Sequence, residues 1–271
     1  MARARDPNGA DNIPAQSQAP ISHGRLMAER SNPPDSDAGA PGLSHERGNG
    51  SFFGRRKGHP LRDHKAQLMQ TLLPHLAVTI DDAPTDLRAL FGDDINDLRI
   101  EIGFGGGEHL VAQALAHPHA GFIGVEPYIN GMAKILVLIE KHNIANIRLF
   151  TGDAAQLLAW LPEASFARID LIHPDPWPKR KHWKRRFVQP ANLAAIARCL
   201  ATQGEFRFVS DIADYNAWTL AHVLRSNLFD WTAEKADDWR APWPGFTPTR
   251  YGQKAVREGR VANYFIFRKA I

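Results

Sequence analysis

Leu98-Arg99-Ile100-Glu101-Ile102-Gly103-Phe104-Gly105-Gly106-Gly107-Glu108 runs from a strand, through a turn of glycines, to the start of a helix. Leu98, Ile100 and Ile102 alternate with polar residues, as a strand requires. The glycines let a ligand approach the main chain closely, in front of a helix N-terminus. The helix is predicted over 108–116, stopped by Pro118.

Outward from this unit the pattern repeats. Strands are predicted over 121–126, 146–150, 168–173 and 205–210, and helices over 131–142, 154–161, 190–200 and 214–226. Strands alternating with helices at this spacing specify an α/β fold with a mostly parallel sheet. A sixth and a seventh strand are predicted over 231–237 and 262–268. A long loop and no helix joins them, so they are expected as an antiparallel pair at one edge. Upstream, short helices are predicted over 67–76, ended near Pro74, and over 86–91.

The chain of 271 residues, 44% hydrophobic, is long enough for one large domain plus a tail. Residues 1–50 contain six Pro, six Gly and no aromatic residue, so a disordered tail is expected there. The folded domain is expected over 51–271, opening with a basic arm, Phe52 to Arg62, that mixes two aromatics with four Arg or Lys. The lone Cys199 allows no intrachain disulfide and fits a reducing compartment. The longest apolar stretch, Ile135 to Ile139, is far too short to cross a bilayer, so a cytoplasmic protein without a membrane partner is expected. The twelve His form no cluster at ligand spacing, so no metal is expected.

Open α/β sheets bind ligands beyond the carboxyl ends of their strands. Strand one ends at Glu101, Gly103 and Gly105. A dinucleotide fingerprint would need a third glycine where Glu108 stands, and carboxylates there repel a pyrophosphate but suit a sulfonium. Strand two ends at Glu126, 23 residues after Gly103, suited to ribose hydroxyls. Strand three leads to Asp153 and Ala154, placed to meet an adenine edge through a side chain and a backbone N–H, or to cap a helix. These parts together suggest a pocket for S-adenosylmethionine.

Strand four delivers Pro174-Asp175-Pro176-Trp177-Pro178, in which the prolines restrict the backbone around a carboxylate and an indole. Then follows Lys179-Arg180-Lys181-His182-Trp183-Lys184-Arg185-Arg186, with six Lys or Arg in eight residues. Such a run, interleaved with an aromatic, suits a phosphate backbone and stacked bases.

With E-I-G-F-G-G-G-E at 101–108, P-D-P-W-P-K at 174–179 and T-R-Y at 249–251, the chain resembles the bacterial tRNA (guanine-N7)-methyltransferases over about residues 51–271. The resemblance implies a Rossmann-like class I fold, a seven-stranded sheet with helices on both faces, and methyl transfer from S-adenosylmethionine to N7 of a variable-loop guanosine in tRNA. It places Glu101, Glu126, Asp153 and Asp175 at the cofactor and Asp175 at the reaction. It places Lys179, Asp211, Thr249, Arg250, Tyr251 and residue 252 at the substrate. Lys181, His182, Trp183, Lys184, Arg185 and Arg186 fall on the RNA-contacting stretch.

One position departs: the family's late loop carries a glutamate where this chain has Gly252. Glu258 or a neighbour is a candidate replacement. Two other readings stay open at this stage, an exocyclic-amine RNA methyltransferase and a non-catalytic tRNA-binding protein with a decayed site. Oligomeric state, monomer or homodimer, is not legible.

Overall fold

A computed structural model describes residues 53–80 and 86–271. The expectation of a disordered tail over 1–50 lies outside the described residues.

The central strand is β1 (Asp97–Ile102), followed by α3 (Glu108–Ala116), β2 (Ala120–Val125), α4 (Ile129–His142), β3 (Ile147–Phe150) and α5 (Ala154–Trp160). The chain then returns past β1 as β4 (Phe166–Ile172) and continues through α6 (Pro190–Cys199), β5 (Leu200–Ser210) and α7 (Ala213–Ser226). Before β1 come α1 (Asp63–Thr71) and α2 (Leu73–Leu76); after α7 come β6 (Phe229–Trp231), α8 (Asp237–Arg240), α9 (Arg250–Arg257) and β7 (Asn263–Lys269). The sheet order is β3-β2-β1-β4-β5-β7-β6. The first five strands are parallel neighbours, and β7 runs antiparallel to both β5 and β6. The order reverses between β1 and β4, which is where an open sheet of this kind makes its crevice.

Strand alternation sends side chains to two cores. Phe122, Ile147 and Leu149 pack with Leu110 of α3 and Ile135 of α4 on one face. Ile123, Ile100, Ile169 and Phe208 pack with Leu157, Leu193 and Val223 on the other. Full burial of each such side chain contributes roughly 1.5–3 kcal/mol. Cys199 is among them, buried and free. Asn143 and Asn227 close α4 and α7 at φ 50° and 54°, the left-handed exit that Asn tolerates.

Two expectations change, and one stretch without a predicted element gains one. Pro74 does not end a helix over 67–76; the helix stops at Thr71, and Pro74 sits in the first turn of α2, where its missing N–H costs nothing. The sixth strand is only Phe229–Trp231, and the connection to β7 contains α8 and α9 rather than loop alone. Lys179–Arg186 is wound into a 3-10 segment over Arg180–Arg185. Among the described residues no helix is long and apolar enough to cross a membrane.

Candidate active site

The glycine turn after β1 works through three left-handed residues, Gly103, Gly105 and Gly107, at φ 71°, 59° and 83°. A β-carbon at Gly107 would stand 2.6 Å from Ile135, so any side chain there would push α4 away from the turn. Gly105 N donates to Glu126 Oε2 at 2.8 Å, and Tyr128 N donates to Oε1 at 2.9 Å. Glu126 thereby fastens the turn to the end of β2. Its two oxygens still have acceptor sites for ribose hydroxyls, because a carboxylate offers about four. Burial pushes its carboxyl above the usual range, against the pull of those two N–H groups and with Asp175 adding to the push.

Asp153 caps α5, accepting from Ala155 N at 2.9 Å, and Ala154 begins the helix, buried. The cap reading of Asp153 is therefore realised at the predicted strand end. Asp175 stands exposed on the lip beyond β4, yet protein on its inner side displaces enough water to raise its carboxyl pKa. Two residues around it hold left-handed backbone, His173 at φ 49° and Trp177 at φ 42°. Such a conformation in a bulky residue costs on the order of 1–3 kcal/mol and persists only where neighbours enforce it. Here the Arg185 guanidinium lies 4.9 Å over the Trp177 ring and His182 meets its edge at 5.8 Å.

The late loop reaches the same place. Thr249 Oγ1 accepts from Gly252 N at 3.1 Å and caps α9. Tyr251, 64% exposed, lies over the glycine turn, with its ring 3.5 Å from where a β-carbon on Gly105 would be. Burial lifts the Tyr251 phenol, with the negative charges of Asp175 and Glu126 adding to it. Arg250 is exposed. Asp211, after β5, accepts from Arg260 Nε at 2.6 Å and lies 3.1 Å from His173 Nδ1. Burial opposes its ionisation, but these bonds hold its carboxyl below the usual range. Glu258, the candidate replacement for a carboxylate at residue 252, is bound to Arg260 and Lys254.

Burial bears on two of the predicted contacts. Glu101, 2% exposed, lies 2.7 Å from His109 Nδ1 through its Oε2. Burial raises its carboxyl, and His109 pulls the other way. Arg186, 1% exposed, is not on the RNA-facing surface. It donates to Pro176 O at 2.9 Å, pairs with Asp214, and is enclosed by the rings of Trp183, Tyr215 and Trp218 at about 5 Å. Lys179, Lys181 and Lys184 are exposed, and His182, Trp183 and Arg185 are half-buried.

Sequence reasoning missed a buried polar patch beneath this site. Arg168 bonds Gln113 Oε1 at 2.8 Å and pairs with Asp170 at 2.9 Å, and Gln113 Nε2 donates to Gly245 O at 2.8 Å. With Trp243, Phe246 and Tyr264 packed edge to face, these bonds seat the loop that carries Thr249 to Gly252. The signal was present: Arg168 and Asp170 interrupt a central parallel strand, which is ordinarily apolar throughout. The basic arm also docks nearby. Arg56 O accepts from Ile129 N, Gly58 N donates to Asn130, and the Arg185 guanidinium lies 5.2 Å over the ring of the exposed Phe53.

A mostly parallel seven-stranded sheet, a glycine turn clamped by an acid from β2, and a carboxylate lip after β4 define a Rossmann-like class I methyltransferase that uses S-adenosylmethionine. Residues 96–264 match the family model described as "Putative methyltransferase". A Rhodopseudomonas palustris tRNA (guanine-N(7)-)-methyltransferase is 67% identical over 82% of this chain and 84% of its own. A protein of the same name from Bradyrhizobium diazoefficiens is 61% identical over 90% of this chain and all of its own. The chain belongs to the tRNA (guanine-N(7)-)-methyltransferase family. Among solved structures, the 16S rRNA methyltransferase KamB matches 70% of this chain and 96% of its own with TM-score 0.53 at 12% identity, a likeness of fold.

Proposed function

We propose that this protein transfers the methyl group of S-adenosylmethionine to N7 of the variable-loop guanosine, position 46, of tRNA. The observation that carries the reading is convergence: Glu126, the glycine turn, Asp175, Tyr251 and Asp211, from five separate connections, meet around one lip.

In this reading Gly103, Gly105, Glu126, Asp153 and Ala154 hold the adenosyl part of the cofactor. Glu101 acts from behind the turn through its bond to His109. Asp175 would lie on the sulfonium side of the pocket and would orient guanine through its N–H edge. Lys179, Asp211 and the Thr249–Gly252 turn line the base, and Lys181 to Arg185 hold the RNA backbone. Guanine N7 presents a lone pair and no proton, so the displacement at the methyl carbon needs no base. What the site supplies is alignment and a negative charge facing the purine as it becomes cationic. We place this activity in the cytoplasm, where its tRNA substrate would be met in a reducing environment.

The test is incubation with labelled S-adenosylmethionine and unmodified tRNA transcripts. Label is expected in 7-methylguanosine, located by strand scission after reduction and aniline. It should vanish from a transcript whose guanosine 46 is replaced by adenosine. Tight tRNA binding with no transfer would instead support the decayed-site reading, and label in an exocyclic amine would support the other methyltransferase reading.

A further inference from the structure

The departure at Gly252 is the point where this site differs from its motif, and the structure shows what stands opposite it. Gly252 is buried in the first turn of α9, and a β-carbon built on it would lie 3.0 Å from His173 Nε2. The His173 side chain is 4% exposed and held from behind: its Nδ1 is 3.1 Å from Asp211 Oδ1, while Asp211 Oδ2 is taken by Arg260. A carboxylate accepts only, so Nδ1 carries the hydrogen and Nε2 carries the lone pair. Asp175 follows His173 by two residues, and Tyr251 precedes Gly252. The missing side chain therefore uncovers an oriented acceptor beside the base-binding lip.

We infer that His173 Nε2 recognises the target guanine, accepting one hydrogen bond from its N1–H and N2–H2 edge, which it shares with Asp175, in place of a carboxylate at residue 252. This rests on the guanine-N7 reading of the site. Guanine offers donors on that edge and needs acceptors there; a neutral imidazole fixed by a carboxylate is one. Burial holds the His173 pKa below its usual value against the pull of Asp211, which keeps the ring neutral near pH 7. The left-handed backbone at His173, φ 49°, is consistent with a residue held in place for its side chain's direction.

The experiment compares tRNA transcripts bearing guanosine, inosine (no N2 amino group) or 2-aminopurine riboside (no N1–H) at the target. The wild type should prefer guanosine over at least one analogue by about tenfold or more in kcat/KM, as expected of a site built around a hydrogen bond. His173→Ala should lose ~10- to 100-fold on guanosine and flatten the preference. Gly252→Glu alone should lose activity, because its β-carbon meets Nε2. The double variant His173→Ala with Gly252→Glu should recover to within ~3-fold of wild type, the non-additivity expected of neighbours sharing one contact. S-adenosylhomocysteine binding by calorimetry should be unchanged throughout and reports folding. His173→Asn, which tolerates the left-handed backbone, serves if the alanine variant does not fold, and is expected to keep part of the preference. A double variant no better than His173→Ala overturns the inference, as does an unaltered preference in His173→Ala. A wild type that methylates guanosine and both analogues alike overturns it without any variant. A wild type that methylates no guanosine fails the function itself, and the inference with it.

Discussion

Asp175 owes its character to the few residues beside it. The prolines on either side limit its backbone, and the Trp177 ring is pinned by Arg185 and His182. Partial exclusion of water raises its carboxyl pKa, so its charge is less well solvated and acts more strongly on a nearby cation. Asp175→Ala is expected to lower kcat by about 10²–10³, the usual scale for one preorganised electrostatic contact. The tRNA Kd should change by less than about twofold, since phosphate contacts carry most of the affinity. Filter binding and single-turnover transfer measure the two separately, and wild-type kcat in the variant would remove Asp175 from the mechanism. The sign of the pH effect follows from the same cause. A raised pKa means the active carboxylate is lost as pH falls through a value above about 3.9, so the acid limb of kcat lies higher than for an ordinary Asp.

Among the elements, the 3-10 segment Arg180–Arg185 separates two kinds of cation that look alike in sequence. Lys181 and Lys184 are exposed, whereas Arg186 at its end is enclosed by three rings and bonded to Pro176 O. Lys181→Ala with Lys184→Ala should weaken tRNA binding and reduce the slope of log K against log salt by roughly 1.5–2, close to one unit per phosphate lost. Arg186→Ala should leave that slope unchanged and cost about 2–3 kcal/mol in urea unfolding, below the ~3–5 of a fully buried pair because Asp214 is half exposed. A changed slope in Arg186→Ala would return it to the RNA surface. The contrast shows where sequence reading stops. From β1 through α7 the elements fall within a few residues of expectation at most boundaries, because two periodicities mark them; β5 is the exception, starting at Leu200 rather than 205. The 3-10 segment, α8 and α9 are short and charged and carry no such period. Residue type also does not give direction: Glu101 and Arg186 stand at the expected places, but each is engaged by a partner, His109 and Asp214, that only the tertiary fold supplies.

For the molecule as a whole, the controlling fact is the reversal of strand order between β1 and β4. It opens the sheet at one crevice, and the strand-end acids legible in the sequence converge there because all five parallel strands end on the same side. The loop bearing Thr249 to Gly252 was readable as a motif but not as a neighbour of the glycine turn. That contact depends on Gln113, Arg168 and the Trp243–Phe246–Tyr264 cluster holding the loop against the sheet. A ligand that bridges turn, strand ends and loop must then stabilise the fold as a unit. At a concentration 100 times its Kd, S-adenosylhomocysteine should add about 2.7 kcal/mol, and for a domain of this size about 5–10 °C in Tm. Glu126→Ala should lose most of that shift, since it removes both the proposed ribose acceptor and the clamp on Gly105, and it should lower the unliganded Tm as well. Asp175→Ala should keep most of the shift, because in the proposed reaction it acts chiefly on the base and the developing charge. Scanning calorimetry with and without ligand distinguishes the two. If both variants kept the full shift, the cofactor would have to bind away from the β1–β4 crevice.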